Sequence, residues 1–121
     1  MKLQDKFGVC PIATAITLVG TKWKIQILRD LVTSEHEALR FSQFKSSIAE
    51  ISDKMLSQSL KELEQDHLIR RCVLDTKPPR TEYRLTDMGK SLGDVLRALY
   101  AWGLSYQTAY FKNEKGGNEQ G

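Results

Sequence analysis

The sequence predicts a mainly α-helical fold of the α+β class, with one small β-hairpin. Three observations in the 121 residues support this prediction. Apolar residues recur at three- and four-residue spacing along most of the chain, two short strand-like segments flank a proline-containing turn, and a long helix with a broad apolar face follows that turn. One domain over residues 10–111 is long enough to bury a modest core.

The first predicted elements are two helices. Residues 1–9 form a polar arm that is expected to be flexible, and Pro11 suits the first turn of a helix that Gly20 ends. The apolar face of this helix is formed by Ile12, Ala15, Ile16 and Val19. The next helix has two apolar stripes, one of Trp23, Ile27 and Leu31 and one of Ile25, Leu28 and Val32. Two stripes predict a central helix that is buried from two sides.

A short supporting helix and a longer polar-faced helix follow. Residues 39–41 are predicted as a short strand, and Ser42 as the N-cap of a brief helix that continues to Ile48. After a short turn, Ser52 is a favourable N-cap for the longer helix, with Asp53 at its positive end. The apolar stripe of this helix is Leu56, Leu60, Leu63 and His67. Its opposite face carries Lys54, Ser57, Gln58, Lys61 and Gln65.

These polar side chains can donate hydrogen bonds to phosphates or base edges, although an ordinary solvated surface is the alternative. The strand-like segments that follow are LIRRCV at residues 68–73 and EYRL at residues 82–85. In the turn between them, Pro78 and Pro79 stiffen the chain, and Lys77 and Arg80 flank the prolines. A plain hairpin with chance charges is the other interpretation of the turn. A polar helix followed by a stiff basic hairpin predicts a winged helix-turn-helix that binds duplex DNA.

The last predicted helix is capped by Thr86 and is longer than a small domain needs. Its apolar face consists of Met88, Leu92, Val95, Leu96, Leu99, Trp102, Gly103 and Tyr106. About 20 helical residues span about 30 Å, so part of this face is expected to pack on a second copy of the chain. The alternative is a helix that folds back onto its own core. The predicted dimer interface consists of Ile12, Ile16, Leu92, Val95, Leu96, Leu99, Trp102 and Tyr106, and residues 112–121 are expected to be a disordered tail.

Composition limits the function classes. The net charge of +3 permits nucleic-acid binding, and with no apolar run of membrane-spanning length and no signal-peptide pattern, a cytoplasmic location away from the membrane is expected. Cys10 and Cys72 are too far apart for a metal pair, and no cofactor motif is present. Without a phosphate loop, a zinc-protease motif or a nucleophile elbow, and with only His36 and His67, the chain is not predicted to be an enzyme. A winged helix used for protein contacts remains the alternative function.

Several segments together resemble the HxlR-type transcriptional regulators, a subfamily of the MarR-like winged-helix proteins. These segments are CPIATAITLVGTKWKIQILRDL from residue 10, RFSQF at 40–44, ISDKMLSQSLKELEQDHLIRR at 51–71 and PPRTEYRLTDMGKSL at 78–92. The resemblance implies a homodimeric repressor or activator whose terminal helices form the dimer and whose reading helices enter successive major grooves of a pseudo-palindromic operator. By motif position, the DNA-binding residues are Arg40, Ser42, Ser52, Lys54, Ser57, Gln58, Lys61, Lys77 and Arg80.

The cysteines raise a question of regulation. Cys10 precedes Pro11 at a helix N-terminus, where the helix dipole favours thiolate, and regulators of this type that sense oxidants or electrophiles use a cysteine at this place. The same cysteine also occurs in regulators with no known sensing role, so both roles remain open. A disulfide would join Cys10 to its counterpart or to Cys72 of the other subunit, while Cys72 alone is most simply a core residue. A small molecule in a dimer crevice lined by Trp23, Trp102 or Tyr106 is the competing effector hypothesis.

Overall fold

The computed structural model describes the backbone of residues 10–119 and the side chains of residues 10–111. The elements, in chain order, are α1 Pro11–Val19, α2 Lys22–Thr33, β1 Ala38–Leu39, α3 Phe41–Ser47, α4 Asp53–Gln65, β2 Ile69–Leu74, β3 Arg80–Leu85, α5 Asp87–Lys90 and α6 Leu92–Glu119. This confirms the predicted α+β class and the winged helix-turn-helix. The predicted arm at residues 1–9 lies outside the described residues. The assigned helix α6 runs into the predicted tail, whose disorder stays a prediction.

The chain divides into two compact units, one up to Lys90 and one from Ser91 onward. The first unit is built around α2, which packs against α3, α4 and β3. Ile27, Leu28 and Leu31 of α2 are fully buried, so both predicted stripes contribute to the core. At the start of α2, the Thr21 hydroxyl accepts a hydrogen bond from the backbone N–H of Lys24, which caps the helix. The central, two-sided burial predicted for this helix is confirmed.

The sheet is antiparallel and three-stranded, in the order β1-β3-β2. Ile69 pairs with Leu85 at the base of the hairpin, where both side chains are buried. The β3 residue Tyr83 contacts the buried ring of Phe44 edge to face, with ring centroids 6.3 Å apart. The short first strand occupies Ala38 and Leu39 rather than residues 39–41, because Phe41 already belongs to α3.

Ser42 was wrongly predicted as the N-cap of the supporting helix. The helix begins one residue earlier than Ser42, and Arg40 occupies the N-cap position. The side-chain Oε1 of Gln43 accepts from the backbone N–H of Arg40 at 2.8 Å. The glutamine at the third helical position therefore bonds back to the N-cap backbone, as in a capping box.

His67 was also wrongly predicted to complete the apolar stripe of α4. It is exposed and adopts a left-handed conformation with φ of 66°, beyond the helix end. The N–H of His67 donates to the carbonyl of Glu64 at 3.0 Å, and the N–H of Leu68 donates to the carbonyl of Leu63 at 3.1 Å. This is the Schellman arrangement, which satisfies the last carbonyls of the helix and turns the chain into β2.

The predicted last helix is interrupted at Ser91, so that Thr86 caps only the short α5. The Thr86 hydroxyl accepts from the N–H of Gly89 at 3.0 Å and donates to the carbonyl of His67 at 2.7 Å. A Cβ at Gly89 would lie 2.0 Å from the backbone oxygen of Leu68. This close approach ties the start of β2 to α5 and leaves no room for a side chain.

The second unit is α6, whose apolar surface is wider than the predicted stripe. The large apolar side chains exposed on α6 are Val95, Leu99, Tyr100, Trp102, Leu104, Tyr106, Tyr110 and Phe111. Trp102 stacks on Tyr106 at a centroid distance of 5.6 Å, and Tyr106 approaches Tyr110 at 4.9 Å. Leu92 and Leu96 are half-buried. In the described part of the chain, no helix has the length and apolar character needed to cross a membrane.

Candidate nucleic-acid interface

The supporting helix α3 holds the start of α4 in place. The Lys45 ammonium donates to the backbone carbonyl of Ile51 at 2.6 Å and pairs with the carboxylate of Asp53 at 3.0 Å. Ile51 is buried in the turn between the helices. At the N-cap, the Ser52 hydroxyl accepts from the backbone N–H of Met55 at 3.0 Å. These contacts fix the orientation of the N-terminal end of α4 relative to α3.

The two faces of α4 differ as the spacing predicts. Leu56, Leu60 and Leu63 are fully buried, and the small Ser59 is buried with them. The exposed side chains on the opposite face are Lys54, Ser57, Gln58, Lys61 and Gln65. Within the described residues, neither Lys54 nor Lys61 forms an ion pair. The exposed face therefore offers two unpaired cations and several hydrogen-bonding groups along one helix.

Gln58 is connected through Glu62 to the core. Its Nε2 donates to Oε2 of Glu62 at 3.2 Å, and the other carboxylate oxygen of Glu62 lies 2.9 Å from the ammonium of Lys24 on α2. The Lys24 residue is buried, at 8% exposure, whereas Glu62 is partly exposed. The carboxylate of Glu62 therefore links the buried ammonium of Lys24 to the amide of Gln58 on the polar face of α4.

The predicted contacts on α3 and in the hairpin are spread over separate elements. Arg40 is half-buried at the N-cap of α3, and Ser42 is exposed in its first turn. In the wing loop, residues 75–79, Lys77 is exposed and the Thr76 hydroxyl donates to the carbonyl of Pro78 at 2.7 Å. Arg80 is exposed but lies in β3 opposite Leu74, not in the loop as predicted. The hairpin strands extend further toward the tip than predicted and shorten the loop.

Sequence reasoning missed three basic residues near this surface. Lys45 was not singled out, because nothing in its spacing indicates that it reaches the Ile51 carbonyl. Arg70 and Arg71 on β2 are exposed and form no ion pair within the described residues. Arg84, opposite Arg70 on β3, instead pairs with Glu82 at 3.4 Å. The RR pair in LIRRCV was the available signal for exposed basic residues on the hairpin, one on each face of the strand.

Comparison with known proteins gives the family. The sequence model of the HxlR-like helix-turn-helix family matches residues 18–110, which is most of the chain. The chain belongs to the HxlR-like helix-turn-helix family. An uncharacterized HTH-type transcriptional regulator of Bacillus subtilis, YdeP, is 36% identical over 110 residues, covering 91% of this chain and 84% of YdeP. As a member of this family, the protein is a transcriptional regulator with a helix-turn-helix DNA-binding fold and not an enzyme, as predicted.

Solved structures of two related regulators match the fold. The redox regulator HypR in its oxidized form has a TM-score of 0.72 and 31% identity, covering 79% of this chain and 96% of HypR. The reduced form of the transcriptional regulator YodB from Bacillus subtilis has a TM-score of 0.69 and 36% identity, covering 78% of this chain and 90% of YodB. YodB has also been solved after diamide treatment, with a TM-score of 0.67, 34% identity, and coverage of 82% of this chain and 96% of YodB.

The two cysteines of this HxlR-like regulator differ in accessibility. Cys10 is an exposed free thiol at the N-cap of α1, with Pro11 in the first helical turn. Its carbonyl accepts the N–H of Thr14 at 2.9 Å, while its side chain makes no capping hydrogen bond. Cys72 is half-buried in β2, opposite Glu82. Among the described residues, no group of three or more metal-ligating side chains is assembled.

Proposed function

We propose that this HxlR-like regulator is a cytoplasmic homodimer that represses transcription by binding a pseudo-palindromic operator in double-stranded DNA. The observation that supports this most strongly is the exposed face of α4. A helix with one face in the core and the other lined by unpaired lysines, a serine and a glutamine has the shape and donors that a major groove accepts.

The contacts divide into two kinds. Lys54 and Lys61 neutralise phosphates on either side of the groove, while Ser57 and Gln58 meet base edges. Ser52 keeps its hydroxyl hydrogen available for a phosphate while its oxygen caps α4. Additional backbone contacts come from the start of α3 and from the wing. These additional residues are Arg40, Ser42, Lys77 and Arg80.

The proposed dimer interface combines α1 with α6. Ile12 and Ile16 are 75% and 60% exposed in the single chain, and Trp102 is 68% exposed. Val95, Leu99 and Tyr106 are exposed on α6 as well. Exposed apolar residues on each of these helices favour association, and in the proposed two-fold dimer two copies of α4 would lie about one helical turn of DNA apart. Occupying the promoter is sufficient for repression, whereas activation requires a further contact with polymerase.

Selection of binding sites from random duplex DNA tests the proposal directly. We expect enrichment of an inverted repeat with its half-sites about 10 base pairs apart, bound with nanomolar affinity that weakens steeply as salt rises. Transcription in vitro from a promoter carrying the selected site should fall when the protein is added. A monomer that enriches no sequence would refute the proposal.

We also propose that Cys10 senses oxidants or electrophiles. The thiol is exposed directly before the first residue of α1 and makes no capping hydrogen bond, so it is accessible to a reagent. The relative HypR is described as a redox regulator, and YodB has been solved after diamide treatment. Because Cys10 directly precedes α1, a disulfide or adduct there would alter the packing of the proposed dimer and hence the spacing of the two reading helices.

A further inference from the structure

The contacts around Gln58 point to a residue outside the DNA-facing surface that decides which base is read. We propose that buried Lys24, acting through Glu62, fixes the amide orientation of Gln58 and so makes adenine the base that Gln58 selects. This inference rests on the proposed function, in which Gln58 meets a base edge.

The orientation of Gln58 follows from the chemistry of its partner. The carboxylate of Glu62 can only accept hydrogen bonds, so the amide nitrogen of Gln58 must face it, as it does at 3.2 Å. Glu62 is itself held by the ammonium of Lys24, 2.9 Å from its other oxygen. A hydrogen bond to an ionised acceptor is stronger than one between neutral groups, which favours this orientation over the flipped one.

The fixed orientation determines what Gln58 offers to the groove. Its Oε1 is left as an acceptor, and one amide hydrogen remains as a donor. Adenine presents the matching pair in the major groove, an N6 amino donor and an N7 acceptor, whereas guanine presents two acceptors. A Gln58 amide held in this orientation therefore complements adenine.

Lys24 has a second effect through charge. Glu62 is partly exposed on a helix that approaches phosphates, and an unpaired carboxylate there would repel DNA. The ammonium of Lys24 approaches Glu62 from the core side, so it neutralises Glu62 without occupying the groove. Lys24 is in this sense a positioning residue, because it touches neither base nor phosphate.

Exchanging Glu62 for glutamine is the sharpest test. In Glu62→Gln the new Oε1 would accept from Lys24, leaving an amide nitrogen toward Gln58. Gln58 would then turn its Oε1 to that nitrogen and present two donors to the groove, which suit guanine. The matched control is Glu64→Gln, which removes the same charge from an exposed position on the same helix.

The measurement is binding to a panel of duplexes in which each base pair of the selected site is varied in turn. Gln58→Ala should lose base preference at one base pair of the site. At that base pair, wild type should prefer adenine over guanine by about tenfold. Glu62→Gln should reverse or abolish that preference, and Glu64→Gln should retain it. Lys24→Met should lower the adenine preference at that base pair, because Glu62 is then no longer held beside Gln58, and should also weaken binding to all DNA through the unneutralised carboxylate. Adding Glu62→Gln to Lys24→Met should restore overall affinity but not the adenine preference. Thermal unfolding of each variant separates misfolding from altered recognition.

The outcomes distinguish the two levels of the hypothesis. Suppose that Gln58→Ala loses base preference at a base pair where Glu62→Gln keeps the preference of wild type, or that wild type prefers a base other than adenine there. The orientation inference is then wrong, while the proposed function stands. If Gln58→Ala keeps the base preferences of wild type at every base pair of the selected site, Gln58 does not contact a base, and the inference about its orientation is wrong as well. If wild type binds no duplex, the proposed function fails as well.

Discussion

Replacing Gly89 with alanine should destabilise the first unit severely, although the change adds one methyl group. The added Cβ would lie 2.0 Å from the backbone oxygen of Leu68, about 1.3 Å closer than a carbon and an oxygen normally approach. Leu68 cannot simply move, because its carbonyl accepts a hydrogen bond from the backbone N–H of Thr86 at 3.1 Å, and the Thr86 hydroxyl holds the neighbouring carbonyl of His67 at 2.7 Å. Either the methyl group remains strained or these hydrogen bonds lengthen.

The magnitude follows from these contacts. Overpacking costs about 1–3 kcal/mol, and weakening one or two hydrogen bonds adds about 1 kcal/mol each. The higher helix propensity of alanine offsets about 1 kcal/mol, which leaves a net loss near 3 kcal/mol. For a domain of this size, that loss lowers Tm by roughly 10 °C.

Thermal unfolding followed by circular dichroism at fixed protein concentration measures this change. The control is Gly93→Ala in α6, where the added Cβ would meet only the guanidinium end of Arg97, at 3.4 Å or more. We expect Gly93→Ala to unfold within about 3 °C of wild type. A Gly89→Ala protein with the Tm of wild type would show that the approach of Gly89 to Leu68 does not constrain the fold.

Three further predictions concern function. Lys77→Ala and Arg80→Ala should each weaken binding to specific and random DNA alike. Each should also reduce the slope of log affinity against log salt by about 1, because one phosphate contact is lost. An unchanged slope would show that the residue does not contact a phosphate. Leu99→Asp should raise the dimer dissociation constant more than about 100-fold in analytical ultracentrifugation, since it places an unpaired charge in the proposed apolar seam, and an unaltered mass would exclude Leu99 from the interface. Cys10→Ser should bind DNA like the reduced protein but lose its response to diamide, and a retained response would assign sensing to Cys72.

Helix burial and helix caps were predictable from the sequence, because each depends on residues that are close together along the chain. The burial of α2 and α4 follows from apolar spacing, and the caps at Ser52 and Thr86 follow from hydroxyls placed before helical segments. Each of these signals is contained within one turn or one helix face. They were sufficient for the fold class and for the polar face of α4.

The features that sequence reasoning missed depend on contacts between distant residues. The positive φ of His67 depends on how α4 must turn into β2, and a helical wheel instead assigns His67 to the apolar stripe. The interruption at Ser91 accompanies the approach of Gly89 to Leu68, which lies 21 positions earlier. The link from Lys24 to Glu62 joins two helices whose relative rotation is set only by packing.

The recurring feature of these contacts is that α4 is held at three points along its length. Lys45 fixes its first turn, Lys24 holds Glu62 at the start of its last turn, and the Schellman turn at His67 ends it. A helix fixed in this way loses little conformational freedom when it enters a groove, so more of the contact energy is available for discriminating between bases. Loosening the first turn by Lys45→Met should therefore reduce discrimination along the whole half-site, whereas Glu62→Gln should change one position. If both variants altered the same single position, α4 would not act as a rigid unit, and base preference would depend on local contacts alone.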